Sequence, residues 1–179
     1  MTISEVLKER KIQIISMLMV YMGISLWLGG LVFFGFGVAS QIFKLSPSRD
    51  VAGLLNRAFL HRLNIIEFVS AAFLLIGISM YNFRFKSFFH RAPLFLAIVA
   101  VTLLCGYSFV ITPSMNELLL KIPSFENVVD PVLKAQFDTY HTMYSMLVQI
   151  NLLLLFVIFL WQTIIYTGAD SFEKSLHSQ

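Results

Sequence analysis

The chain has 179 residues, of which 58% are hydrophobic and only 13% are charged, and its mean hydropathy is +0.79. A soluble domain of this composition would expose apolar patches large enough to aggregate, so the composition indicates an integral membrane protein in contact with the lipid bilayer. The formal net charge of +3 comes from basic residues beside apolar runs, where they anchor membrane helices, and nucleic acid is therefore not an expected partner. The single cysteine, Cys105, excludes an intramolecular disulfide.

Four apolar segments are long enough to cross a bilayer, since a helical span needs about 20 residues. The first follows a basic cluster at residues 8–11 and exceeds the roughly 7–15 apolar residues of a signal peptide, so it is expected to be retained. Pro93 suits the first turn of the third helix, the pair Thr112-Pro113 is expected to end it, and Gly168 is expected to end the fourth. The predicted spans are 12–43, 57–82, 93–111 and 131–166.

The loops predict how these helices are arranged. The connection between the second and third predicted helices is short and basic, with Arg84, Lys86 and Arg91. The connection between the third and fourth is rich in acidic residues. Because basic loops stay in the cytoplasm, we expect both termini to be cytoplasmic in a bacterial inner membrane, although the basic first loop runs against this bias. Residues 115–121 are expected to lie as a short amphipathic segment on the outer surface. The predicted fold is an all-α, up-down bundle of four membrane helices in one domain, 1–179.

Small residues on the first helix predict close packing. Gly23, Gly30 and Gly37 recur every seven residues, which puts them on one stripe of the helix. Lipid tails provide no hydrophobic drive between helices, so close association depends on small residues that let backbones approach. The stripe predicts a tight seam with a neighbouring helix, or alternatively a homodimer face or a ligand slot.

Two histidines form the main candidate site. His61 and Asn64 share a face of the second helix, and Asp138, His141 and Ser145 are related by three- and four-residue steps on the fourth. Helices 2 and 4 run the same way in an up-down bundle, so both histidines are expected near the outer face at similar depth. Facing imidazoles ligate haem iron, or form half of a copper or zinc site, with the carboxylate of Asp138 orienting the second ring. Interfacial histidines are also often hydrogen-bonded without any ligand.

Glu67 is the deepest ionisable residue of the second span. A charge within a span is costly and therefore indicates function. We expect Glu67 to border the histidine site, and either to pair with Arg62 or His141 or to be protonated. No GxSxG, Walker A, HExxH or GxGxxG pattern is present, so hydrolase, nucleotide and Rossmann chemistry have no support.

Several short motifs follow one another between residues 20 and 160. They are Trp27-Leu28-Gly29-Gly30 with Phe33 and Phe34, Phe59-Leu60-His61, Thr112-Pro113 with Met115 and Glu117, and Phe137, Tyr140-His141 and Ser145. This order resembles a family of four-pass membrane proteins of unknown function, whose animal relatives are known as transmembrane protein 205. The resemblance implies a four-helix membrane protein and a loose association of the animal relatives with resistance to drugs and metal compounds. It implies histidine at positions 61 and 141, whereas Glu67 does not clearly match.

Three functional hypotheses follow. The leading one is a binding or redox bundle that holds haem b, or in second place copper, between His61 and His141, with Asn64 lining the pocket. The first alternative is a small transporter or efflux component for hydrophobic or metal-containing compounds, which would work as a homo-oligomer. The second alternative is a non-catalytic assembly subunit of a larger membrane complex, in which the histidines are incidental and no cofactor need be bound. Neither composition nor motifs decide whether the protein is an enzyme.

Overall fold

The structure, a computed structural model, describes residues 3–82, 87–122, 124–126 and 130–177, with side chains described between residues 4 and 168 of these ranges. The helices are α1 (Ile3–Val32), α2 (Ala39–Leu45), α3 (Arg49–Asn82), α4 (Phe88–Gly106), α5 (Thr112–Lys121) and α6 (Pro131–His177), with two π-helical segments, π1 (Phe33–Val38) and π2 (Tyr107–Ile111). Within the described residues, four continuous helices are long and apolar enough to cross a membrane: Ser4–Leu45, Arg49–Asn82, Phe88–Lys121 and Pro131–Gly168. The protein is an all-α, four-helix integral membrane protein.

The four long helices form a closed ring in which neighbours run antiparallel. Helix α1 lies along α3, where Ser16 hydrogen-bonds to Gly77 and Trp27 to Glu67. Helix α6 meets α1 through a hydrogen bond between Tyr166 and Ser16, and α4 packs between α3 and α6. The helices therefore go up and down in turn, and α3 and α6 lie diagonally across the bundle.

The two ends of the bundle differ in their connections. We call the end of the bundle at which α1 begins, α3 ends and α4 begins the terminal end. At the opposite end, which we call the loop end, α2 is followed by α3 and α5 by α6. Asp50, at the start of α3, accepts hydrogen bonds from the Ser124 hydroxyl at 2.6 Å and from the Phe125 backbone N–H at 2.8 Å. These bonds tie the two connections of the loop end together. Arg84 and Lys86, which bear on the predicted orientation, lie outside the described residues.

Apolar side chains cover the outside of the ring. Phe36 is 83% exposed, Phe95 is 67% exposed and Leu153 is 63% exposed. In water such a surface would drive aggregation, whereas in a bilayer it faces acyl chains of the same polarity. The bundle is therefore held together by close packing and by hydrogen bonds inside the ring.

The closest packing lies between α1 and α3. A Cβ atom on Gly23 would lie 2.7 Å from the Ser70 carbonyl oxygen, and one on Gly77 would lie 2.9 Å from the Ser16 carbonyl oxygen. Both contacts are with backbone atoms, so the two helices touch directly at these glycines. The predicted stripe does not continue beyond them: Gly30 meets only the tip of a leucine side chain, and Gly37 meets only a side chain of its own helix. Gly77, which completes the contact, was not singled out from the sequence.

Three residues or motifs expected to begin or end a helix do not do so. The third membrane helix begins at Phe88, so Pro93 lies inside it and not in its first turn. The third helix does not end at Thr112-Pro113 but continues to Lys121, so residues 115–121 extend that helix instead of forming a separate surface segment. The fourth helix continues through Gly168 to His177. A glycine ends a helix when it adopts a left-handed conformation, and no glycine of the described chain has a positive φ angle.

A π-helical segment carries the third helix past its proline. Pro113 has no N–H to donate to the preceding turn, so the continuous helix lacks one backbone hydrogen bond at this point. In π2 the backbone N–H of Thr112 bonds to the carbonyl of Tyr107, five residues earlier, and the Thr112 hydroxyl donates to the same carbonyl at 2.7 Å. π-Helical turns of this kind occur frequently at functional sites.

The glycine contact predicts a marked difference between two alanine substitutions on α1. Gly23→Ala forces α1 and α3 apart, and we expect it to lower the free energy of unfolding by about 1–3 kcal/mol. Gly29→Ala is the control, since a Cβ there has no atom within 4 Å and alanine favours the helix. Thermal unfolding of the two purified variants in mild detergent measures the difference. Equal melting temperatures would show that the close approach contributes no stability.

Candidate functional site

The carboxyl side chain of Glu67 is fully buried at the centre of the helix ring. It is 0% exposed, and its Oε1 atom accepts two hydrogen bonds. The indole N–H of Trp27 donates at 3.0 Å from α1, and the hydroxyl of Tyr107 donates at 2.6 Å from the start of π2. One carboxyl oxygen thus joins three of the four membrane-crossing helices.

The fourth helix completes this network through Asn151. The Asn151 side chain is 0% exposed, and its Nδ2 atom lies 3.4 Å from the Tyr107 hydroxyl oxygen. The ring of Tyr144, also on α6, meets the Tyr107 ring edge-on with centroids 5.3 Å apart. We call Trp27, Glu67, Tyr107 and Asn151 the Glu67 network.

Two oxygen atoms of the Glu67 network keep unused hydrogen-bonding capacity. Within the described part of the chain, neither Oε2 of Glu67 nor Oδ1 of Asn151 has a hydrogen-bond partner. Buried polar atoms are normally paired, because an unpaired one loses its hydration without compensation. The Glu67 network therefore presents an acceptor-rich position in the bundle interior, where it can bind a proton, a cationic group or a hydrogen-bond donor.

The Glu67 network lies within the hydrocarbon thickness of a bilayer. Trp27 is sixteen residues after Lys11, and Tyr107 is sixteen residues after Arg91, which at 1.5 Å per residue is about 24 Å from the charges of the terminal end. On α3, Arg62 comes only five residues before the glutamate. Since the hydrocarbon core is about 30 Å thick, the carboxyl lies inside it and closer to the loop end.

Local backbone structure brings these side chains together. The direct contact of α1 with α3 at Gly23 lies one turn from Trp27 and about one turn from Glu67, so the two side chains meet at short range. The π-helical turn that begins at Tyr107 changes the rotation of α5 relative to α4. Tyr107 itself continues the buried face of α4, three residues after Leu104 and seven after Ala100.

The chain matches a protein-family model. The model described as Domain of unknown function (DUF4149) matches residues 22–123, more than half of the chain. The chain belongs to this family. Trp27, Glu67 and Tyr107 all lie inside the DUF4149 region, whereas Asn151 lies beyond it. Comparison with curated proteins and comparison with solved structures gave no match. The relationship to the animal transmembrane protein 205 proteins stays a prediction.

The predicted histidine pair occupies a different position from the Glu67 network. His61, in the DUF4149 region, and His141, beyond it, both have exposed side chains. They belong to α3 and α6, which lie diagonally, so the bundle interior separates their helices. The imidazole of His141 stacks on the ring of Phe137, one turn earlier on its own helix, with centroids 6.1 Å apart. A haem held by both histidines of one chain would require both imidazole rings to turn toward the bundle interior.

The residues expected around the histidines have other partners. Asp138 pairs with Lys134 at 2.9 Å instead of orienting His141, and the Ser145 hydroxyl donates to the backbone carbonyl of His141. Asn64 is half-buried, and its Oδ1 atom has no partner among the described residues. The expected partners of Glu67, Arg62 and His141, are replaced by Trp27 and Tyr107. No group of three or more metal-binding residue types clusters in the described ranges.

Sequence reasoning identified Glu67 as unusual but missed its partners. Trp27 was assigned only to a family motif, and neither Tyr107 nor Asn151 was singled out. For Trp27 the available signal was its depth: tryptophan normally concentrates at the membrane interfaces, whereas Trp27 lies in the middle of the predicted span 12–43. Tyr107 lies four residues before the predicted end of its span, so its depth gave no such signal. An asparagine in the middle of the fourth span carries the same signal, because it needs a partner inside the bundle.

The Glu67 network predicts unequal effects for two Tyr→Phe substitutions. Tyr107→Phe removes a donor to Glu67 and a partner of Asn151, and we expect a loss of about 1–2 kcal/mol in the free energy of unfolding. Tyr144→Phe is the matched control, because Tyr144 contacts the network through its ring and phenylalanine keeps that ring. Chemical or thermal unfolding in detergent compares the two. A control that loses as much stability as Tyr107→Phe would contradict the assigned hydrogen bonds.

The haem hypothesis has a direct spectroscopic test. If His61 and His141 hold haem b, the protein purified from cells supplied with haem has the visible absorption of a bis-histidine haem, and His61→Ala and His141→Ala each abolish it. Metal analysis of the same preparation tests for copper. A colourless, metal-free preparation would exclude both cofactors at this pair.

Proposed function

We propose that the protein is a small membrane transporter or efflux component in which the carboxyl group of Glu67 exchanges a proton for a cationic group of a hydrophobic substrate. The single observation that carries the proposal is the Glu67 carboxyl itself. It is fully buried and held through Oε1 by two donors, while its Oε2 has no partner among the described residues. Ionisable groups inside membrane spans commonly mark ion or substrate pathways and proton relays.

The hydrogen bonds around Glu67 favour exchange at Oε2. The indole N–H of Trp27 can only donate, so Oε1 must act as an acceptor in both protonation states of the carboxyl. Tyr107 also donates to Oε1, and this leaves Oε2 as the oxygen that gains or loses the proton. A proton and an organic cation therefore compete for the same oxygen, which is the minimum requirement for coupled exchange.

The surrounding side chains support a hydrophobic cation as the second occupant. Trp27, Tyr107 and Tyr144 contribute aromatic rings at or beside the carboxyl. Aromatic rings together with a carboxylate are the usual protein groups that bind organic ammonium ions. Entry of such a substrate requires the helices to separate, and we propose that the carrier works as an oligomer, since four helices are few for alternating access.

We also propose that the bundle lies in a bacterial inner membrane with both termini in the cytoplasm. The basic residues near the start of α1 and at the start of α4 lie at the terminal end, while the chain from Glu117 to Asp138 near the loop end is rich in acidic residues. The basic clusters before α1 and around the start of α4 favour a cytoplasmic terminal end, while Lys44, Arg49 and Arg57 near the loop end run against this bias. The carboxyl of Glu67 then lies in the outer half of the membrane.

Carbodiimide labelling tests proton exchange at Glu67. A hydrophobic carbodiimide adds to a protonated carboxyl: the acid proton moves to nitrogen, the carboxyl oxygen bonds to the central carbon, and rearrangement leaves a stable N-acylurea. We expect mass spectrometry of the wild-type protein in membranes to find this adduct on Glu67, with less adduct as the pH is raised. Glu67→Gln should lose at least about 90% of the labelling, while Glu117→Gln, which removes an exposed carboxyl, should retain it.

Glu67→Gln also separates proton exchange from a structural role. The glutamine side chain keeps an oxygen that accepts from Trp27 and Tyr107, so the bundle should remain folded. In cells, ethidium is a suitable fluorescent probe, and we expect the wild-type protein to lower its accumulation while Glu67→Gln does not. A folded wild-type protein with no carbodiimide adduct at any pH would contradict proton exchange, and equal ethidium accumulation would contradict export of this class of cation.

A further inference from the structure

The half of the bundle toward the terminal end contains a second group of buried polar side chains, Ser16, Gln162 and Tyr166, which we call the inner polar layer. Ser16 and Gln162 are 0% exposed and Tyr166 is 4% exposed. Gln162 is eleven residues after Asn151 on α6, so it lies about 16 Å from the Glu67 network along the helix. The inner polar layer is therefore a separate site.

In the hydrogen bond between the two hydroxyl groups of the layer, the donor can be identified. The Ser16 hydroxyl donates to the Gly77 carbonyl at 2.6 Å and lies 2.9 Å from the Tyr166 hydroxyl. Because serine has one hydroxyl proton and Gly77 receives it, Tyr166 must be the donor to Ser16. The Tyr166 oxygen consequently keeps its capacity to accept a further hydrogen bond.

Gln162 directly precedes two contacts that join α6 to α1. The next residue, Thr163, hydrogen-bonds to Tyr21 at 3.1 Å, and Tyr166 lies one turn further along. These hydroxyls are engaged with α1, while neither Nε2 nor Oε1 of Gln162 has a partner in the described ranges. An amide has two donor hydrogens and an acceptor oxygen, and its burial without any partner is unfavourable.

We propose that the inner polar layer is an internal hydration site, in which Gln162 binds water beside the Tyr166 hydroxyl. Water is the small ligand that both accepts from the amide nitrogen and donates to the amide oxygen, and buried waters typically satisfy such groups. The layer has no charged side chain, so a neutral ligand fits it better than an ion. This inference does not depend on proton exchange at Glu67. The bound water would add to the polar groups in the bundle interior between the terminal end and the Glu67 network.

Replacing Gln162 with methionine tests whether its amide binds water. Methionine has nearly the same length and shape, so Gln162→Met removes the amide with little change in packing. If the amide binds water, its loss lowers Tm in detergent by about 2 °C or more. The matched control is Gln149→Met on the same helix, where the side chain is exposed and little change is expected. An unchanged or higher Tm for Gln162→Met would overturn the proposal, because an unpaired amide is better replaced by an apolar group.

Cysteine labelling measures the water directly and decides the question if the methionine variant fails to fold. In a Cys105→Ala background, Gln162→Cys is compared with Ile158→Cys, which is one turn away on α6 and also 0% exposed. Thiol reagents react with the thiolate, which forms readily only in contact with water. We expect a small water-soluble thiol reagent to label Gln162→Cys at least about tenfold faster than Ile158→Cys. Equal rates would show that the layer is dry, whatever the effect on Tm.

Discussion

Acyl chains offer no hydrogen bonds, and this constraint governs the arrangement around Glu67. A carboxyl group at this depth must obtain its donors from the protein, and the available donors lie on other helices. Trp27 reaches it from α1 and Tyr107 from π2, while Asn151 connects the tyrosine to α6. Since the outer surface has no preference for one helix pairing over another, these bonds help to specify which faces of the four helices turn inward.

The direct contact between α1 and α3 makes this arrangement possible. Gly23 and Gly77 remove the side chains that would separate the two backbones, and Ser16 then reaches the Gly77 carbonyl. An antiparallel pair fixed in this way has a defined register over several turns. The same register brings Trp27 to Glu67 and places Ser16 at the inner polar layer, so packing of small residues and pairing of polar residues depend on each other.

The four helices could be predicted from the sequence because an apolar run of sufficient length leaves few alternatives in a membrane protein. The stop signals at Pro113 and Gly168 were misleading, because π2 carries the third helix past its proline and no glycine of the described chain adopts the left-handed conformation that ends a helix. Glu67 was recognisable as an ionisable residue within a span. Its contacts depend on the rotations of three other helices, and no local pattern in the sequence encodes those rotations.

The donors around Glu67 have a further consequence for the speed of any proton movement. Trp27 has no acceptor capacity on its indole nitrogen, and the hydroxyl proton of Tyr107 is directed at the same oxygen, Oε1. Arrival or departure of a proton at Oε2 therefore leaves both bonds intact, and neither ring has to turn over. A site built this way has a small reorganisation energy: the charge on the carboxyl changes while the dipoles that face it stay in place.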